Sequence, residues 1–302
     1  MTRRSAVIGM LLVAWLAVPA PLPAQTGTDF LKVVPDDVLG FGFVRNIGET
    51  SAKIEVLAKM VNAPLPGAPL ATIKQSVGID QGLDEKGTAV AVLLAGDGDP
   101  VAILLVPVTD YKAFITPLKP TKTDGSITEA EGPDGKIWIG KKGNYAAMSG
   151  PTTKSALEKV INAKKDVTAN VQPLQGWLAS NDAAIVLTNS GVKVVAAKMR
   201  EGLKQAKEAV ANAPAEAQFL VEMIKSLDET LKSTETDVTH VALGLQIDKV
   251  NNVNLSARAL FTKGSSLAKS GGGVKPLAGG PLTGLPNGPF VMAGGCVFSE
   301  ST

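Results

Sequence analysis

The chain has 302 residues, 45% of them apolar but only 4% aromatic, and its 30 basic and 28 acidic side chains nearly cancel. One histidine and one cysteine exclude paired-histidine metal clusters, the usual zinc sites and any intrachain disulfide. A balanced, mixed surface gives no electrostatic reason to expect nucleic acid or an anionic membrane as partner. In chain order, Arg3 and Arg4 come first, followed by an uncharged apolar run from Ala6 to Val18 and small-residue cleavage positions at Ala20 and Ala24. That order predicts a secretory signal peptide over residues 1–24. The run is shorter than the roughly 20 residues that span a bilayer, so no transmembrane anchor is expected after cleavage. Residues around the arginine pair do not fit twin-arginine export, and the general secretory route is favoured. Cleavage removes only Arg3 and Arg4, leaving 28 charges of each sign from Gln25 onward.

The first unit is predicted over residues 25–170. A strand at Val38–Arg45 precedes Asn46, which stands three residues before Glu49 in a variant of the capping box. Ile54, Leu57, Ala58 and Val61 follow at helical spacing. Pro64, Pro66 and Pro69 end that helix, and a shorter one is expected from Leu70 to Val77. Beyond the polar loop Asp80–Gly87, Thr88–Ala95 and Val101–Val108 form a hairpin around the turn at Gly96–Asp99. Thr109 caps a helix to about Leu118. Three short strands, 127–131, 136–141 and 145–149, and a helix over 152–163 close the unit. Strand, helix, strand, strand, helix, strand is the ferredoxin-like, split βαβ order. Ala89–Leu94 and Ala102–Val106 are apolar at every position, which predicts burial on both faces.

A second unit, 171–270, opens in the same order. Asn181–Thr188 resembles Asp36–Phe43, and a long helical hairpin follows, with apolar stripes at Val192, Val195, Met199, Leu203 and Ala206 and at Phe219, Met223, Leu227 and Leu231. Ala213 and Pro214 separate its two helices. Val238–Ile247 and Val253–Phe261 then form another hairpin. Residues 271–302 read as a Gly/Pro-rich linker and a terminal strand near Leu285–Met292. The fold class expected is α+β: two related units, an internal repeat, of mainly antiparallel sheet with packed helices.

The segments Val34–Val38, Pro100–Asp110 and Gly143–Gly150 resemble exported bacterial proteins, of planctomycete or cyanobacterial type, that carry repeated α+β units with no assigned function. The resemblance covers residues 29–163 best. It implies the fold and an extracytoplasmic address, and supplies no catalytic residues.

Candidate chemistry is sparse. His240 lies in a strand and reads as a satisfied strand histidine; a lone general base would need a nucleophile elbow that the chain lacks. Asp97 and Asp99 flank a glycine in a hairpin turn, which explains them. Glu129 and Glu131 share one strand face, as an acidic or calcium-binding pair or as the solvated face of an edge strand. Asp80, Asp84 and Glu85 share a loop without the calcium-hand spacing. No phosphate-binding loop is present. Trp138 and Tyr145 fall on neighbouring strands, as a stacking platform or as a cross-strand pair. Lys198, Arg200, Lys204, Lys207 and Lys225 alternate with Glu201, Glu208, Glu216 and Glu222 on the helical hairpin, a mixed face suited to packing on the sheet and not to a membrane surface. Cys296 is either a buried, inert thiol or a site of intermolecular pairing. No catalytic, cofactor-binding or metal residues are assigned. The reading is a periplasmic or extracellular protein without enzymatic activity, with a binding or structural role and with a protein partner or self-association open to it. The alternatives are a carboxylate-dependent hydrolase and a subunit of a cell-envelope assembly.

Overall fold

The computed structural model describes residues 27–272, apart from 66, 78, 80, 133–134, 211–217 and 249–251. The predicted signal segment, the helix break at Ala213 and Pro214, the terminal strand and Cys296 lie outside these residues. A 3-10 turn at Asp29–Val33 leads into strand β1 (Gly40–Val44), helix α1 (Ile47–Met60) and helix α2 (Pro69–Val77). Asn46 caps α1 from a left-handed backbone conformation, φ 40°. Its side-chain oxygen accepts from the Glu49 N–H at 3.3 Å, and its amide donates to the Glu49 carboxylate at 2.7 Å. The first bond is the one that the spacing implied; the second joins the two side chains, where the full capping box uses the backbone N–H of the cap residue.

Strands β2 (Ala89–Leu94) and β3 (Val101–Pro107) form the first hairpin, followed by α3 (Tyr111–Ile115). Asp110 and not Thr109 caps α3, accepting from the Ala113 N–H at 3.0 Å. A carboxylate is favoured there by the exposed amides of the first turn. Strands β4 (Lys122–Asp124), β5 (Ile127–Gly132), β6 (Gly135–Lys142) and β7 (Tyr145–Ser149) lead to α4 (Lys154–Asn162) and α5 (Gln175–Ser180). The remaining elements are β8 (Ala183–Thr188), α6 (Asn189–Val210), α7 (Gln218–Asp237), β9 (Val238–Ile247), β10 (Val253–Phe261) and α8 (Ser266–Gly272). The first residues of the predicted glycine linker therefore belong to α8.

The fold is α+β. The described strands form one ten-stranded sheet, ordered β10-β9-β8-β1-β2-β3-β7-β6-β5-β4, and every pair is antiparallel. The chain order of strands and helices is the one read from the sequence, except that β4 and α5 were not foreseen. In space β1, β2 and β3 form a meander, with β2 between β1 and β3, because α1 and α2 return the chain beside β1 in the opposite direction; β3 then pairs with β7. A split βαβ unit would instead set β1 and β3 side by side.

The second half joins the first edge to edge. β8 pairs with β1 in the register Phe41↔Val186. Gly191, in the first turn of α6, lies so close to the Leu39 carbonyl that a Cβ there would run into backbone.

One sheet face carries the main core. Phe41, Phe43, Val90, Val92, Ile103 and Leu105 are buried on it. Phe30 and Leu31 of the 3-10 turn, Leu157 and Val160 of α4 and Leu178 of α5 cover them. Two cations tie that layer down at helix C-termini, where carbonyls lack partners. Arg45 donates to the carbonyls of Leu178 and Ala179, and Lys142 donates to those of Val160 at 2.6 Å and Ala163 at 3.2 Å.

The opposite face is covered at its ends. Phe114 and Leu118 pack near α3 against Ala130, Ile139 and Ala146. Val192 of α6 and Ala268 of α8 pack against Val238 and Phe261. Between these clusters α1 and α2 roof one part of the face, and a strip beside them is not covered by described residues. The expectation that β2 and β3 are buried on both faces is therefore corrected. Their burial alternates with period two, because the second half extends the sheet sideways and does not stack upon it.

Candidate functional site

The uncovered part of the sheet is a straight cross-strand row. Leu104 on β3 faces Ala91 on β2, which faces Gly42 on β1, then Ile185 on β8, then Leu243 on β9. Successive pairing places these side chains on one face. Leu104 is 45% exposed, Ile185 59% and Leu243 57%. They floor a trough of about 400 Å³ whose lining also includes Val44, Ala89 and Leu245. The sequence builds it with small residues at the middle of the row and branched aliphatics at its ends.

A second cavity of about 370 Å³ lies where α1 and α2 roof the sheet. Ile47, Ile54, Leu70 and Ile73 come from these two helices, Phe114 from α3 and Met148 from β7. Val44, Ala89 and Leu104 line both spaces, so the two adjoin. At the outer end, Ser51, Leu70 and Lys74 are shared with a third, more polar cavity of about 410 Å³, which also includes Gln75 and Glu85. Lys74 Nζ sits 2.8 Å from Glu85 Oε1, and Ser51 Oγ accepts from the Leu70 N–H at 2.9 Å. The sequence thus leads from a polar rim, under two helices, onto an open aliphatic floor.

The carboxylates singled out in the sequence do not gather. Asp99 pairs with Lys198 of α6 at 2.6 Å, which holds its carboxyl below the usual range. Glu129 pairs with Lys136 at 2.6 Å and Glu131 with Lys119 at 3.1 Å. β5 is not an edge strand, since β4 pairs with its first half. Asp84 accepts from the Lys86 N–H at 3.1 Å in its own loop, and Asp80 lies outside the described residues. Of the three cavities, the polar rim alone includes a carboxylate, Glu85.

Trp138 and Tyr145 share neither a platform nor a cross-strand pair. Trp138 faces Ser149 and Tyr145 faces Lys142, at opposite ends of the β6–β7 ladder. The Trp138 indole donates to the Pro151 carbonyl at 2.8 Å, and Lys154 lies 5.1 Å from its ring centroid. His240 is held below its ordinary pKa by burial, and its Nδ1 has no partner among the described residues. Thr188, its register partner, donates to the Val38 carbonyl at 2.7 Å and is not paired with the imidazole.

The α6–α7 hairpin packs less completely than its stripes suggested. Val192 and Ala196 are buried, but Val195, Met199, Phe219, Met223 and Leu227 are exposed. Arg200 of α6 ties the pair together, 2.8 Å from Asp228 and 3.3 Å from Glu235. The trough itself was missed in sequence reasoning. The signal available was Gly42 and Ala91, small residues in register among larger aliphatics, and it acquires meaning only once the strands are paired.

Among the described residues, no group of three or more His, Cys, Asp or Glu side chains is placed to hold a metal ion. No described helix is long and apolar enough to cross a membrane. No protein-family model matches the chain, and no curated protein is similar to it at a significant level. Among solved structures, crystal form IV of TP0453 is similar, with TM-score 0.38 and 11% identity over 76% of this chain and 79% of that one.

Proposed function

We propose that this chain is an exported, non-catalytic binding protein acting outside the cytoplasmic membrane, and that it binds with the apolar trough. The carrying observation is the row Leu104, Ala91, Gly42, Ile185, Leu243, which leaves three large aliphatics exposed in one line across five strands, with two small residues between the first and the other two. Contiguous exposed apolar surface of this kind marks interaction sites. Export rests on the N-terminal segment and on the resemblance to exported α+β-unit proteins. We also read the halves as a duplicated unit. From the β1–β8 pair outward, each side adds a hairpin in the same way, β2 and β3 on one side, β9 and β10 on the other, and each first strand is followed by a helical pair.

A neutral, environment-sensitive dye such as Nile red tests the binding reading on the mature chain. The dye brightens on mixing with wild type, and Leu104→Glu, whose site is half-exposed and so tolerates charge, lowers its affinity at least tenfold with an unchanged circular dichroism spectrum. An unaffected variant would remove the trough as the binding surface. A subunit role in an envelope assembly is the second reading. It is favoured by β10, an edge strand of the described sheet, whose Val253 and Leu255 are exposed. Sedimentation of the mature chain as a stable oligomer would favour that role.

A further inference from the structure

We infer that the trough and the adjoining cavity hold one aliphatic chain of an anionic amphiphile, with the head group at Lys74. The inference rests on the binding reading and names its ligand class. Length is the first argument. From β3 to β9 the floor crosses four strand spacings, about 19 Å at the usual separation. A bilayer core holds two acyl chains end to end in about 30 Å, so a single chain needs about 15 Å, and one that starts at Lys74 and crosses the cavity first ends within the length of the floor. Shape is the second. Ala91 and Gly42, flanked by Ala89 and Ala183, lower the middle of the floor between Leu104 and the pair Ile185 and Leu243.

Polarity is the third argument. The side chains lining the trough carry no hydrogen-bonding group, and the sheet ladders occupy its backbone groups. A polar ligand there would lose its water without compensation. The cavity under α1 and α2 includes one charged side chain, Lys74, which also lines the polar rim. Lys74 is 27% exposed and its partner Glu85 49%, a partly solvated pair of the weak kind. A carboxylate or phosphate arriving at the rim can therefore share the ammonium, while its chain passes beneath Ile54 and Ile73 onto the floor. The anionic source tested here is a free fatty acid.

The test displaces Nile red from the mature protein with palmitate, octanoate or hexadecanol, the two carboxylates below their critical micelle concentrations and the alcohol below its solubility limit. Palmitate should displace the dye at least tenfold more tightly than octanoate, and at least fivefold more tightly than hexadecanol. Lys74→Met should erase the preference for palmitate over hexadecanol, and Lys74→Arg should restore it. Ala91→Trp, which fills the middle of the floor, should erase the advantage of the longer chain. Equal displacement by palmitate and hexadecanol in wild type would overturn the head-group assignment, and absence of chain-length dependence would overturn the chain assignment. In both cases dye binding sensitive to Leu104→Glu leaves the binding reading standing. Loss of dye binding together with a dimer in sedimentation would overturn both.

Discussion

Tyr145 begins β7 with its phenol turned into the core, 5% exposed, and burial pushes its pKa up to about 12. Tyr111, the other tyrosine of the chain, is also raised by burial. A phenol whose folded pKa exceeds its unfolded value contributes stability that is whole below about pH 10 and is lost as pH rises toward the folded value. For Tyr145 the loss is about 2–3 kcal/mol by pH 12. Absorbance at 295 nm should show both tyrosines ionising above 10 in the folded protein, and the urea midpoint should fall over the same range. One ordinary titration at 10 with a flat midpoint would contradict the burial. His240 has the opposite sign: burial lowers its pKa, so its contribution is present above about 6.5 and lost as pH falls. None of this was legible in the sequence, because strand periodicity places a side chain on a face without saying which face is covered.

Strands β2 and β3 show the same limit at the scale of elements. Their unbroken apolar runs predicted cover on both faces, yet Val92 is fully buried while Ala91 beside it is exposed. The run is continuous because the open face is aliphatic as well. Paired substitutions separate the faces. Val92→Asp should cost several kcal/mol, since it buries a charge without a partner, while Ala91→Asp should stay within about 1 kcal/mol. Urea unfolding of the two variants decides it; equal losses would mean that the trough is covered in solution. Capping was the more legible device. Asn46 and Glu49 met as their spacing implied, because a cap acts over a few consecutive residues. Asp110 replaced Thr109 because adjacent oxygen-bearing side chains compete for one helix start.

At the scale of the molecule, Asp182 joins the halves. Its carboxylate lies 2.9 Å from Lys53 of α1 and accepts from the Ile247 N–H of β9 at 2.6 Å. The side chain is 16% exposed. Asp182→Ala strands the Ile247 amide and leaves Lys53 with Glu49 alone, at 3.1 Å, and should cost about 1–3 kcal/mol, read as a lower urea midpoint. A midpoint equal to wild type would mean that the β1–β8 ladder alone sets the junction. The amino-acid sequence by itself determined the α+β class, the element order apart from β4 and α5, and the cap of α1, since each of these depends on neighbours a few residues apart. Tertiary structure alone decided that β8 extends the sheet at β1, that one face carries the core, and that Leu104, Ala91, Gly42, Ile185 and Leu243 form one row. The physical reason is register. Those five residues come from five strands, and pairing across long loops depends on the summed burial of the whole sheet, which no local stretch encodes.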